Sequence, residues 1–174
     1  MPAISSLRSQ RLSGLKSDSE KQYVAFRLRL GWFILPIEAI YRVIPLENHI
    51  PKLTFAGQKV MIVDLGKILF GQNKSQSGKI PQLIANGAIV SSKPSLIVVS
   101  NHAGKLVGVL SNSQPALQKI AQNQLVPLPL TYSQNWKVDY INYMTLPSQD
   151  MPSLFAIDSD RLVAGMFKLS SSAK

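Results

Sequence analysis

Short apolar runs separated by glycine- and proline-containing segments recur along the whole chain. In the segment 22–30, QYVAFRLRL, apolar residues occupy every second position from Val24 to Leu30, while Arg27 and Arg29 point the other way. This period of two is typical of a half-buried strand. The runs SLIVVS and LVGVLS, joined by NHAGK, predict a β-hairpin. Such short strands favour a mainly β fold, either small barrels or a sandwich, with short helices.

The stretch GQKVMIVDL at 57–65 predicts a buried strand, Val60 to Val63, that passes directly into a helical turn. Asp64 is placed to accept a hydrogen bond from a free N–H group of that turn, and Gly71 supplies its left-handed end. Leu65, Ile68 and Leu69 would form the apolar side of the turn. The aspartate is therefore interpreted as a helix cap rather than a catalytic acid.

Several other segments complete the predicted secondary structure. Residues 36–44, PIEAIYRVI, fit a helix or a strand about equally. Ser113 and Pro115 predict the start of a helix that carries Leu117 and Ile120, and prolines 127 and 129 predict extended chain after it. Residues 137–146 and 154–157 complete the strands, and Asp158 to Asp160 cap a last helical turn. No repeat of fixed period is evident.

The length of 174 residues, 45% of them apolar, suits one compact domain. Residues 1–20 form a predicted disordered basic arm, and residues 169–174 a predicted flexible tail. The most apolar run, 30–37, is too short to cross a membrane, so no membrane insertion is expected. The absence of cysteine fits a reducing compartment, and the predicted location is cytoplasmic.

Charge is distributed unevenly within a net charge of +10. Positions 65–138 contain no acidic residue but carry seven lysines, Lys105 and Lys119 among them. Such a field steers association with an acidic partner, such as an acidic protein surface or nucleic acid. The alternative is that these lysines only keep the surface soluble, since they never cluster.

Motifs for catalysis, metal binding and cofactor binding are absent from the sequence, so no catalytic, metal or cofactor site is predicted. The two histidines, His49 and His102, lie far apart, and the loop between Gly71 and Lys79 lacks the spacing of a phosphate-binding loop. The chain is not expected to be an enzyme. Nucleic-acid binding is disfavoured because Tyr132 and Trp136 are the only aromatic residues from 71 to 138.

Four blocks, taken in order, resemble the CheW-like coupling domain of bacterial chemosensory systems. They are QYVAFRLRLGWFILPIEAIYRVI, GQKVMIVDL, SLIVVSNHAGKLVGVLSNS with LVPLP after it, and SLFAIDSDRL. The resemblance implies two small five-stranded SH3-like β-barrels packed side by side over residues 21–168. It also implies a non-enzymatic adaptor of a chemosensory or surface-motility complex that links a chemotaxis-type histidine kinase to chemoreceptors. A basic β-barrel that binds nucleic acid, or a divergent module that binds another acidic protein, are the alternatives.

The resemblance also suggests protein-contact residues, which the family uses in three blocks. Gly57 and Val60 fall in the block for receptor contact, Ile40 and Val43 in a groove between the barrels, and Gly108, Leu110 and Asn112 in the hairpin of the second barrel. Core packing is an equally good interpretation for Ile40, Val43 and Val60.

Departures from the family pattern change the charge of this predicted surface. Arg42 stands where the family has glutamate, Asn112 where it has aspartate, Ala56 where it has arginine and Met61 where it has proline. The first two changes favour a more acidic partner, and Lys105 is added to the predicted contact set for the same reason.

Overall fold

A computed structural model describes residues 19–47, 52–55, 57–71, 82–85 and 87–172. The predicted arm, apart from its last two residues, lies outside the described residues, as do His49 and the polar loop after Gly71. The elements in chain order are strands β1 (Glu20–Leu28), β2 (Gly31–Pro36), β3 (Ile40–Pro45), β4 (Thr54–Phe55), β5 (Gln58–Lys59) and β6 (Met61–Val63), helix α1 (Leu65–Phe70), strands β7 (Ile84–Ala85), β8 (Ala88–Ile89), β9 (Ser95–Ser100), β10 (Leu106–Ser111), β11 (Ala116–Ala121) and β12 (Leu125–Pro127), helix α2 (Leu130–Trp136), strands β13 (Ile141–Thr145) and β14 (Leu154–Ile157), and helix α3 (Ser159–Ser172).

Two sheets carry the fold. The six-stranded sheet has the order β11-β1-β2-β14-β13-β12, and the four-stranded sheet has the order β3-β9-β10-β6. Neighbouring strands are antiparallel except for the pairs β2–β14 and β6–β10, which are parallel. The mainly β fold with short helices is confirmed. The count of two five-stranded barrels stays a finer prediction, and the hydrogen-bonded strands of the described residues form sheets of six, four, two and two strands.

Both sheets are buried on both faces, which the alternation in the sequence did not predict. In β1, Phe26 and Leu28 face the main core, while Tyr23 and Ala25 face a second cluster on the opposite side of the six-stranded sheet. The four-stranded sheet likewise turns Ile97 and Val99 of β9 toward the main core and Leu96 and Val98 toward a third cluster. We call these two sides of the four-stranded sheet its inner face and its outer face.

Two hairpins of matching sequence cover the outward clusters. Strands β4 and β5 lie over the outer face of the four-stranded sheet, and β7 and β8 cover the second cluster of the six-stranded sheet. Both follow the pattern Leu-x-x-x-Gly-x-x-Val, in which the valine N–H donates to the leucine carbonyl at 2.9 Å and the glycine has a positive φ. The sequence therefore contains a repeated unit that was not recognised, because only three of its eight positions are shared.

Residues 116–121 form a strand and not the predicted helix. Strand β11 pairs antiparallel with β1, and Glu20, the last residue of the predicted arm, lies opposite Ala121. The hydroxyl of Ser113, expected to cap a helix, instead accepts a hydrogen bond from the backbone N–H of Arg27 at 3.0 Å. Long-range pairing thus overrides the local cap signal.

The remaining helices differ from prediction in type, presence or length. Residues 37–39 form a short 3₁₀ turn before β3, so the ambiguous segment is a turn followed by a strand. Helix α2 follows the extended Pro129 and was not predicted. Helix α3 reaches Ser172, where a single turn and a tail from residue 169 were expected, because Leu162, Val163 and Met166 recur at helical spacing on its buried side.

Tyr140 lies in the main core beneath helix α3, and its buried hydroxyl has no hydrogen-bond partner among the described residues. Burial, followed by the nearby charge of Asp139, raises the pKa of Tyr140 to about 12. An unpaired buried hydroxyl costs stability, so Tyr140→Phe should keep or raise the free energy of unfolding at neutral pH, by up to about 1 kcal/mol.

The pH dependence provides the check on Tyr140. Between the ordinary pKa of 10.0 and about 12, the unfolded chain loses the phenol proton while the folded chain keeps it, so stability falls as pH rises. Denaturant titrations across this range should show a shallower fall for Tyr140→Phe. An unchanged slope together with a loss of stability at neutral pH would mean that the hydroxyl has a stabilising partner.

Candidate functional site

The outer face of the four-stranded sheet brings several predicted contact residues into one row. Arg42 of β3 lies beside Val98 of β9, which lies beside Gly108 of β10, which lies beside Ile62 of β6. Leu110 is on the same face, two residues along β10. The structure therefore places Arg42, Gly108 and Leu110 together.

Val60 belongs to the same cluster but is buried. It is only 4% exposed and packs with Leu96, Val98 and Leu106 beneath the hairpin β4–β5. Gly57 lies at the exposed tip of that hairpin with a φ of 75°, and a Cβ there would have no heavy atom within 4 Å. Of these two residues, only Gly57 is open to a partner.

Ile40 and Val43 lie on the other side of the sheet. Val43 is paired with Ile97 and Ile40 with Val99, both of which face the main core. Ile40 packs at the edge of that core, while Val43 remains 38% exposed because β3 is an edge strand. The predicted contact set as a whole is thus divided between the two faces, with Ile40 and Val43 together on the inner one.

Two aromatic residues of this region were missed from the sequence. Tyr41 is 52% exposed, and its ring lies 5.5 Å from that of Phe55 on hairpin β4–β5. The Arg42 guanidinium carbon also lies 5.5 Å from the centre of the Phe55 ring. A break in the register between Ile40 and Arg42 is what lets Tyr41 and Arg42 both reach Phe55. In the sequence, the only sign of this contact with Phe55 is that an aromatic residue, Tyr41, stands next to Arg42.

Asn112 joins the end of β10 to the turn between β1 and β2. Its side-chain oxygen accepts from the Arg29 N–H at 2.7 Å, and its backbone N–H donates to the Arg27 carbonyl at 2.8 Å. Arg27 in turn donates through Nη2 to the Asn112 carbonyl at 3.0 Å, and burial lowers the pKa of Arg27. Arg29 has a φ of 52°, a conformation that needs such support in a residue other than glycine.

We therefore predict that Asn112→Ala lowers the free energy of unfolding by about 1 kcal/mol, because the Arg29 N–H loses its acceptor. Asn112→Asp keeps an acceptor oxygen at the same place and should retain stability close to that of the unmodified chain. Urea unfolding of the two variants makes the comparison. Equal losses in both would show that the amide NH₂ group, and not the oxygen, stabilises the turn.

Asp64 acts as the predicted helix cap. Its Oδ1 accepts from the backbone N–H of Lys67 at 3.0 Å, and Gly71 ends helix α1 with a φ of 75°. Gly66 in this helix leaves room for Arg29, since a Cβ there would lie 3.1 Å from the Arg29 Cγ. The cap, the turn at Arg29 and Asn112 therefore support one corner of the fold.

Lys105 lies apart from the row on the outer face. Lys105 is the residue directly before β10, and its Nζ lies 5.0 Å from the centre of the Phe167 ring on helix α3. On the other side of the same turn, His102 binds Asp160 through both its backbone N–H and its imidazole. These hydrogen bonds, the backbone one first, lower the pKa of Asp160.

In the described part of the chain, no group of three or more histidine, cysteine, aspartate or glutamate side chains could hold a metal ion. Nor is any helix among the described residues long and apolar enough to cross a membrane.

Tyr132 and Trp136 pack with Phe33, Phe70 and Phe155 in an aromatic cluster, with ring centres 4.8–6.3 Å apart.

Comparison with known proteins agrees with this architecture. The model of the CheW-like domain family matches residues 22–166. The structure is similar to the crystal structure of the scaffolding protein TtCheW from Thermoanaerobacter tengcongensis, with a TM-score of 0.54, 16% sequence identity, and coverage of 80% of this chain and 85% of the other. No curated protein sequence matches the chain. Because the family model spans most of the sequence, the chain belongs to the family of CheW-like domains.

Proposed function

We propose that this chain is a non-enzymatic adaptor in a bacterial chemosensory or surface-motility complex, and that it links a chemotaxis-type histidine kinase to chemoreceptors or related proteins. Membership of the CheW-like family supports the adaptor role, and the structural neighbour is itself named a scaffolding protein. A cytoplasmic location accords with this role.

The observation that carries the proposal is the outer face of the four-stranded sheet with its edge strand β3. Ile44, Ile62 and Leu110 are only partly buried there, and Tyr41 is largely exposed. Partly exposed aliphatic and aromatic side chains around a rigid sheet are the usual core of a protein–protein contact. Arg42 and Gly57 lie on the same side and form part of the proposed rim.

Nucleic-acid binding is the weaker alternative. Tyr132 and Trp136, the two aromatic residues of the lysine-rich half, are engaged with other rings in the aromatic cluster. Single-strand binders need exposed rings on which bases can stack. The exposed ring at the proposed contact face, Tyr41, instead pairs with Phe55.

The test is an affinity purification from native lysate in which recovered histidine kinase and receptor are quantified. Tyr41→Glu and Arg42→Glu baits should lose the kinase, the receptor or both by at least about tenfold, since the first leaves a charge desolvated in an apolar contact and the second reverses the charge at its rim. Leu117→Glu is the matched control, because Leu117 is a similarly exposed aliphatic residue on β11 of the other sheet. Equal recovery with all baits, at equal melting temperature, would refute the proposed contact face.

A further inference from the structure

A small groove lies between the β9–β10 turn and the second half of helix α3. Its volume is about 340 Å³, and it is lined by residues of both elements, including Ala103 and Lys105 from the turn and Ala164, Phe167 and Lys168 from the helix. The alanines and Phe167 form an apolar floor, and the two lysines lie at its sides. We call it the lysine groove.

The turn that carries Lys105 is held by its own hydrogen bonds. The Asn101 side-chain oxygen accepts from the Lys105 N–H at 2.9 Å, and the Asn101 N–H donates to the Lys105 carbonyl at 3.1 Å. The ammonium group of Lys105 lies over the Phe167 ring, which restricts where it can go. Part of the entropy cost of ordering this lysine for binding is therefore already met in the free protein.

The charges around the turn are separated by sign. Among the described residues, no carboxylate lines the lysine groove. The acids of this region lie in a second groove on the other side of the turn, which contains Glu38, Asp158 and Asp160 and no lysine or arginine. Two of these acids are already engaged, Asp160 with His102 and Asp158 with Arg161 at 3.8 Å. An incoming acidic group is therefore attracted to one side of the turn and repelled from the other.

We propose that the lysine groove binds an acidic segment of a partner protein, with carboxylates at Lys105 and Lys168 and an apolar side chain against Phe167. This deepens the proposed adaptor function, because it adds a second contact surface. Helix α3 packs on the inner face of the four-stranded sheet through Leu162, Val163 and Met166. The lysine groove and the outer face thus lie on opposite sides of one sheet, and two partners can bind at the same time.

An acidic protein fits this groove better than the other candidates do. A second copy of the chain would bring together two molecules of net charge +10, whose mutual repulsion opposes association. Nucleic acid would need a longer track of phosphate contacts than two lysines beside an apolar floor provide. A segment that combines carboxylates with an aliphatic residue can contact both the apolar floor and the two lysines at its sides.

Fluorescence anisotropy with a labelled amphipathic peptide, in which glutamates flank leucines at helical spacing, tests the proposal. The peptide should bind the full chain, and Lys105→Gln with Lys168→Gln should weaken binding by about tenfold, from the loss of two charge-assisted contacts. The matched control, Lys93→Gln with Lys119→Gln, removes the same charge from exposed positions outside the groove and should change affinity less than about twofold. A peptide of glutamate alone should bind more weakly than the amphipathic one.

Three results would overturn the proposal. Equal weakening by both lysine pairs would mean that only net charge matters. Tighter binding of a DNA duplex, lost in the groove variant, would assign the groove to nucleic acid, and a dimer abolished by the groove variant in sedimentation velocity would assign it to a second copy. Tyr41→Glu should leave peptide binding unchanged, so failure of the outer face and failure of the lysine groove are distinguishable.

Discussion

Phe33→Ala should lower the free energy of unfolding by about 4 kcal/mol, the middle of the range for truncating a buried aromatic residue. Phe33 is fully buried in the main core, and its ring centre lies within 6.5 Å of those of Phe26, Phe70, Trp136 and Phe155. Its removal opens a cavity where β2, β14, α1 and α2 meet. For a chain of this size the melting temperature should fall by roughly 8–16 °C.

Helix α2 should lose more of its local stability in Phe33→Ala than the other elements do. None of its residues is fully buried, and Tyr132 and Trp136 attach it to the aromatic cluster. Hydrogen exchange at 130–136 should therefore accelerate in Phe33→Ala more than exchange in β9 or β10. Phe33→Leu fills most of the cavity and should lose less than half as much stability. If helix α2 kept its protection in Phe33→Ala, its attachment would not depend on the ring cluster.

Local patterns in the sequence predicted those elements whose structure is set by near neighbours. The hairpin β9–β10, the strand before Asp64 and the cap itself depend on a few adjacent residues, and all three are present. The prediction for strand β11 was wrong for the opposite reason, because its partner β1 lies some ninety positions earlier in the chain. The helical spacing of Leu117 and Ile120 in fact places them on opposite faces of a strand.

The contact residues show a similar division. Resemblance to the family selected residues that share one sheet, on which Arg42, Gly108 and Leu110 lie side by side. It did not separate the two faces, because a register break in β3 changes which side chains point outward, and no local pattern marks that break. Asn112 was selected as a contact, yet its polar groups are engaged with Arg27 and Arg29. Partner contact at each of these residues stays a prediction.

Gly108 gives the second large expected effect, and it connects the core to the proposed contact face. A Cβ at this position would lie 3.1 Å from Leu96 Cδ1 and 3.4 Å from Val60 Cγ1. A glycine inside a strand often marks a place where another group approaches closely, and here the group that approaches is the chain's own third cluster. Gly108→Val adds three carbons to this space and should cost about 3 kcal/mol through overpacking, with Gly108→Ala intermediate.

Relief of the crowding tests this explanation for Gly108. Leu96→Val removes the atom closest to the new side chain, so the loss in the double variant should be smaller than the sum of the two single losses by at least about 1 kcal/mol. Chemical denaturation of the four proteins gives this coupling directly. Because Val60 carries the hairpin β4–β5, Gly108→Val should also push that hairpin outward and weaken binding of a partner to the outer face, while leaving peptide binding in the lysine groove intact. Additive losses would place the strain elsewhere in β10, and equal weakening at both surfaces would mean that the whole sheet, rather than its outer cover, has been disturbed.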